Sequence, residues 1–97
     1  MQLIIHAPTV AALERARRNL ANLLVSEPNA EVELVVNGAA AIEAVRHPNP
    51  EIAPYCVVCE NTLRTANLEV PNELRTTEAA IVHIAHRQAE GWSYFRA

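Results

Sequence analysis

Hydrophobic residues come along the chain in short blocks that switch between two periodicities. The first block, "QLIIH" at residues 2–6, is a continuous apolar run ended by Pro8, which predicts a buried strand and then a break. Thr9 can cap a helix. From Val10 to about Val25 the positions Leu13, Ala16, Leu20, Leu23 and Leu24 recur at helical spacing, with Glu14 and Arg18 four apart on the wet side. "EPNA" turns the chain, and "EVELVVNG" alternates and then runs apolar, reading as a second strand punctuated by Asn37 and Gly38. A shorter helix is expected over residues 39–46.

The next stretch, "HPNPEIAP", carries too many prolines for helix or central strand and reads as an irregular connection. Residues 55–58 are strand-like, and Glu60 to about Ala66 suit a helical turn or two, so Cys59 falls at the strand-to-helix junction. "NLEVPNEL" reads as a loop, and residues 74–77 as a fourth strand indicated mainly by its spacing. "EAAIVHIAHRQAEG" predicts a helix with Ile81, Ile84, Ala85 and Gln88 along one side and Gly91 as its stop, followed by the strand "WSYF".

Strands alternating with helices through short loops imply a single α/β domain over residues 1–97. The expected architecture is a three-layer α/β/α sandwich around a mainly parallel five-stranded sheet. Two orders are open: the first strand between the second and third, or the second between the first and third. Chemistry in such folds collects at the carboxyl ends of the strands, here His6, Asn37 with Gly38, Cys59 and Thr77.

Composition narrows the chemistry. The chain is 51% hydrophobic but only 4% aromatic, so its core is aliphatic, and its net charge of -3 is built entirely from Arg and Glu. Without Lys or Asp it can form no lysine-dependent phosphate loop, aspartyl nucleophile, Schiff-base lysine or Asp-rich calcium loop. The acidic balance and scattered arginines offer no stripe for a nucleic-acid backbone. No apolar run approaches the roughly 20 residues a bilayer requires, and "MQLIIHAP" lacks a positive flank, so the expectation is a cytoplasmic protein away from membranes.

The two cysteines, in "YCVVCENTLR", are the main chemical signal. If residues 55–59 are extended, Cys56 and Cys59 lie about 10 Å apart on opposite faces, too far for a disulfide, which needs Cα atoms within about 7 Å. No second C-x-x-C or suitably placed His pair completes a zinc site, so no metal and no cofactor is expected. Cys56 reads as a small core hydrophobe. Cys59, at a helix amino terminus, is either a reactive thiol or an inert buried one. The modest dipole effect there could be cancelled by Glu60 unless Arg64, four residues on, holds that carboxylate.

Other residues carry two readings each. His6 could serve as a base or orienting group for Cys59, or be a hydrogen-bonded strand end. His83 and His86, three apart on a helix, read as solvated or interface histidines rather than ligands. Asn37 and Gly38 suit a backbone turn, with ligand contact second. Trp92 and Tyr94 share a strand face that reads as core or subunit interface.

Taken together, "VVCENTLR", the "NL" and acidic, proline-bearing loop after it, the tail "RQAEGWSYFRA" and the opening "ALERARRNLANLL" before "AEVELVVNG" resemble the DsrE/DsrF-like family, particularly its small stand-alone members. The resemblance covers essentially the whole chain. It implies an intracellular sulfur relay in which a cysteine at the end of the third strand, matching Cys59, carries a persulfide between donor and acceptor proteins. It also implies a homo-oligomer, trimer or hexamer, and places Asn61, Thr62 and Arg64 in the family's motif around that cysteine. The alternative is a non-catalytic oligomeric interaction or regulatory protein of the same fold, with a buried thiol indifferent to sulfur donors.

Overall fold

The computed structural model describes residues 1–97, which alternate strand and helix from end to end. The strands are β1 (Gln2–Ala7), β2 (Glu31–Val36), β3 (Cys56–Cys59), β4 (Arg75–Thr77) and β5 (Ser93–Arg96). The helices are α1 (Val10–Ser26), α2 (Gly38–Arg46), α3 (Glu60–Thr65) and α4 (Ala80–Ala89). Every neighbouring strand pair is parallel, and the sheet order is β4-β3-β2-β1-β5. The α/β class and five-strand count match the sequence expectation, and the second strand, not the first, is the central one.

Local chemistry accounts for the boundaries. The Thr9 hydroxyl accepts the Ala12 N–H at 3.0 Å and starts α1. The helix then buries Ala12, Leu13, Ala16 and Leu20 on the sheet, while Glu14 accepts from Arg17 and Arg18 on the outside. Gly38 opens α2 with φ +54°, and a Cβ there would come within 3.0 Å of the Pro8 carbonyl oxygen, so both backbone and space require glycine. In the proline-rich connection, Ala53–Tyr55 winds into a 3-10 turn with a proline at its start, so β3 begins at Cys56 rather than at Tyr55. No helix is long and apolar enough to cross a membrane.

Strand alternation sends the two halves of each strand's side chains to different layers. On one face Ile5, Leu34, Val36, Cys56 and Val58 pack beneath α1, α2 and α3. Leu63 is the one buried residue of α3 and is fully enclosed, which pins this short helix to the sheet. On the other face Ile4, Val35, Val57 and Cys59 meet Trp92 and, from α4, Ala80 and the half-buried Ile84. The sandwich is lopsided, with three helices on one side and a single helix on the other. That thin layer leaves Ile81 78% and Val82 50% exposed.

Ile81, Ile84, Ala85 and Gln88 share one side of α4, but of these only Ile84 turns inward. Ala80, His83, Ile84 and Arg87 face the protein, whereas Ile81, Ala85 and Gln88 are exposed. The cause lies on β2, where Glu33, 3% exposed, accepts from Arg87 Nε at 2.8 Å and Arg87 Nη2 at 3.0 Å. His83 Nε2 and Glu33 Oε1 are 2.8 Å apart, and Arg75 Nη1 donates to Glu33 at 3.2 Å. A buried carboxylate is strongly penalised unless paired, so it selects the face of α4 that carries its partners. His83 is therefore an ion-network residue, not a solvated one. The Arg87 guanidinium also lies over the Trp92 ring, 4.7 Å from its centre.

Candidate functional site around Cys59

Cys59 closes β3 and precedes α3, as its position in the sequence implies. Its partner in the register is Thr77 of β4, and β4 leads within a few residues to the start of α4. Two helix beginnings therefore converge on one sulfur. The Ala80 N–H donates to Cys59 Sγ at 3.4 Å across the sheet. The connection before it is held in turn, because the Asn61 N–H donates to the Glu78 carbonyl at 3.1 Å.

These donors set the protonation of the thiol. Burial opposes the thiolate and is the largest single influence. The N–H groups of Thr62 and Ala80, the Thr62 hydroxyl and, least, the Asn61 N–H that is shared with the Glu78 carbonyl together outweigh it, holding the Cys59 thiol below the ordinary 9.0. Cys56, on the opposite face, has no such donors. Burial pushes its thiol up to about 11 despite the countering charge of Arg75. Both sulfurs are free, and no group of three or more His, Cys, Asp or Glu side chains is placed to hold a metal ion.

The residues after Cys59 have visible contacts. The Thr62 hydroxyl also accepts the Gly38 N–H at 3.1 Å, so it ties the β2–α2 turn to the cysteine. Glu60 accepts from the Thr76 hydroxyl and lies 3.8 Å from Arg64. Its carboxylate is thus engaged on both sides, which limits its opposition to a thiolate next door. Asn61 and Arg64 line a shallow cleft with Thr77, Glu78, Ala79 and Val82, over the same two helix starts.

The structure bears on two readings left open by the sequence. Cys59 is 5% exposed, packed among Ile4, Val35, Val57, Ala80 and Trp92, so it does not stand open at the strand ends. The first turn of α4, which supplies a donor, also covers it. His6 does not serve Cys59, because β2 runs between them. His6 instead pairs with Asn37 at 2.9 Å and with the Tyr94 hydroxyl at 2.7 Å. Trp92 precedes β5 and is buried, whereas Tyr94 on β5 is 41% exposed. Neither Tyr94 as a partner of His6 nor Ala80 as a partner of Cys59 carried a sequence signal, since these pairs are separated by 88 and 21 residues.

No known family model and no curated protein matches the chain. Among solved structures, a protein of unknown function from Methanobacterium thermoautotrophicum is similar to it, with a TM-score of 0.84 and 19% identity over 99% of this chain and 98% of the other. At that identity the likeness shows a shared fold and nothing about activity.

Proposed function

We propose that the protein handles sulfane sulfur, with Cys59 as the covalent acceptor, in the manner of the DsrE/DsrF-like relay proteins that its sequence resembles. The observation that carries this reading is the contrast between its two thiols, one held below the ordinary value by converging donors and the other pushed up to about 11. The Cys59 thiolate would attack the outer sulfur of a persulfide or thiosulfate donor. A new S–S bond forms on Cys59 as the donor's own S–S bond breaks, and the donor leaves as thiolate or sulfite, so no external oxidant is needed. The same N–H groups that favour the thiolate suit the persulfide anion. Because Cys59 is enclosed, loading requires the Glu78–Ala79 connection to move aside. The exposed Ile81 and Val82 beside that connection suit closure against a partner, either a further copy in a trimer or hexamer or a donor or acceptor protein.

One observation favours a second reading, a non-catalytic interaction protein of the same fold: at 5% exposure Cys59 packs like a core residue. Mass spectrometry after exposure to polysulfide or thiosulfate separates the two. Added sulfur mapped to the Cys59 peptide supports the relay, and an unmodified Cys59 under conditions that load a reference persulfide carrier supports the interaction protein.

A further inference from the structure

His6, at the carboxyl end of β1, lies between two polar side chains from the neighbouring strands. Asn37 Oδ1 can only accept, so the His6 Nε2 that it meets at 2.9 Å carries the proton. In the neutral ring Nδ1 is then a bare lone pair, and the Tyr94 hydroxyl at 2.7 Å donates to it. The order is hydroxyl, base and orienting amide, the arrangement by which a weak nucleophile is activated. It opens on a groove of about 380 Å³ between α4 and the carboxyl ends of β1 and β2, walled by Ile81, Ile84 and Ala85 with Gln88 on the rim. That volume is at the small end of ligand clefts, roughly 300–1,000 Å³.

We propose that Tyr94 and His6 form a second reactive site, independent of Cys59, in which the Tyr94 hydroxyl takes the acyl group of a small activated acyl compound. The apolar wall suits the acyl chain and the Gln88 amide offers a donor for its carbonyl. In the step the Tyr94 oxygen bonds to the acyl carbon as the bond to the leaving group breaks. The Tyr94 proton passes to His6 Nδ1 and from there to the leaving group, with no change of oxidation state. Asn37 is a positioning residue that keeps Nδ1 turned toward Tyr94.

The test uses N-acetylimidazole on the full chain, with peptide mapping to distinguish Tyr94 from Tyr55 and from the cysteines. Tyr94 is expected to be acetylated faster than Tyr55, and His6→Ala to slow Tyr94 by at least about tenfold while leaving Tyr55 unchanged. His6→Gln, which keeps a polar partner for both neighbours but supplies no base, should be slowed likewise and decides the matter if His6→Ala fails to fold. Asn37→Asp, which retains the acceptor, should keep the rate that Asn37→Leu loses. If the histidine only fastens β5 to β1, removing it frees the hydroxyl and Tyr94 reacts as fast as before or faster. That result, a Tyr94 no more reactive than Tyr55, or equal rates in the two Asn37 variants would overturn the proposal.

Discussion

The backbone N–H of Ala80, the first residue of α4, meets the sulfur of Cys59 at 3.4 Å. One contact thus does two opposed things: it favours the thiolate and it covers it. A reagent small enough to enter during brief openings of the α4 start reaches a thiol already biased toward ionisation, whereas Cys56 beneath the three-helix layer gains nothing from opening alone.

A small thiol reagent at neutral pH should therefore modify Cys59 before Cys56. With its thiol pushed up to about 11, Cys56 is ionised at pH 7 in about one molecule in ten thousand. Cys59→Ser should leave a protein that labels hardly at all. Cys56→Ser should cost about 1–3 kcal/mol for a buried hydroxyl without a partner and leave Cys59 reactive. Peptide mapping that finds equal labelling would refute the assignment of roles.

Much of the fold was legible because each signal was local. The aliphatic blocks, the Thr9 cap, the glycine at 38 and the proline-rich 47–54 connection act within a few residues of themselves, and the alternation they spell leaves few sheets to choose among. The opposite orientation of Cys56 and Cys59 followed from strand parity alone. The central place of β2 was not legible, because strand order depends on pairings between distant segments. Nor was the enclosure of Cys59, which α4 imposes from 21 residues away. Which face of α4 turns inward was not legible for a related reason. Ile81 is the more hydrophobic choice, but the charge on Glu33 recruits His83 and Arg87 instead.

Thr62→Val tests the hydroxyl within that donor set while keeping the side-chain shape. The Cys59 thiol should lose one of the donors that hold it low, and its titration should move upward toward 9.0. The fold should survive, because the Gly38 N–H released by the change is at an exposed residue and can turn to water. Ultraviolet titration of the thiolate would check this, and an unmoved or lowered midpoint would mean that Thr62 does not act on the sulfur.

Glu33 makes acid sensitivity specific. Burial opposes its charge most strongly, but hydrogen bonds from Arg87 and His83 win, so its carboxyl is held below the ordinary 4.5. A depressed carboxylate contributes stability above its unfolded value, and that contribution is lost as pH falls through the lower, folded value. Urea midpoints should hold from neutral pH down to about 4.5 and then decline, in part through Glu33. Glu33→Gln should cost about 1–3 kcal/mol at neutral pH, since Arg87 keeps Glu90 as its only carboxylate and the half-exposed Arg75 turns to water, and should flatten the acid decline. Parallel acid profiles in the two proteins would show that the network does not carry the effect.

The most direct measurement of the central claim is the rate of Cys59 alkylation by a small neutral reagent as a function of pH, in Cys56→Ser protein so that one thiol reports. Convergent N–H donation requires the rate to rise through a midpoint below 9.0 and to level off once the thiolate is fully formed. A midpoint at or above 9.0, or a sulfur that stays unreactive throughout while the protein remains folded, would contradict an activated Cys59 and leave the chain as a sulfur-indifferent member of its fold.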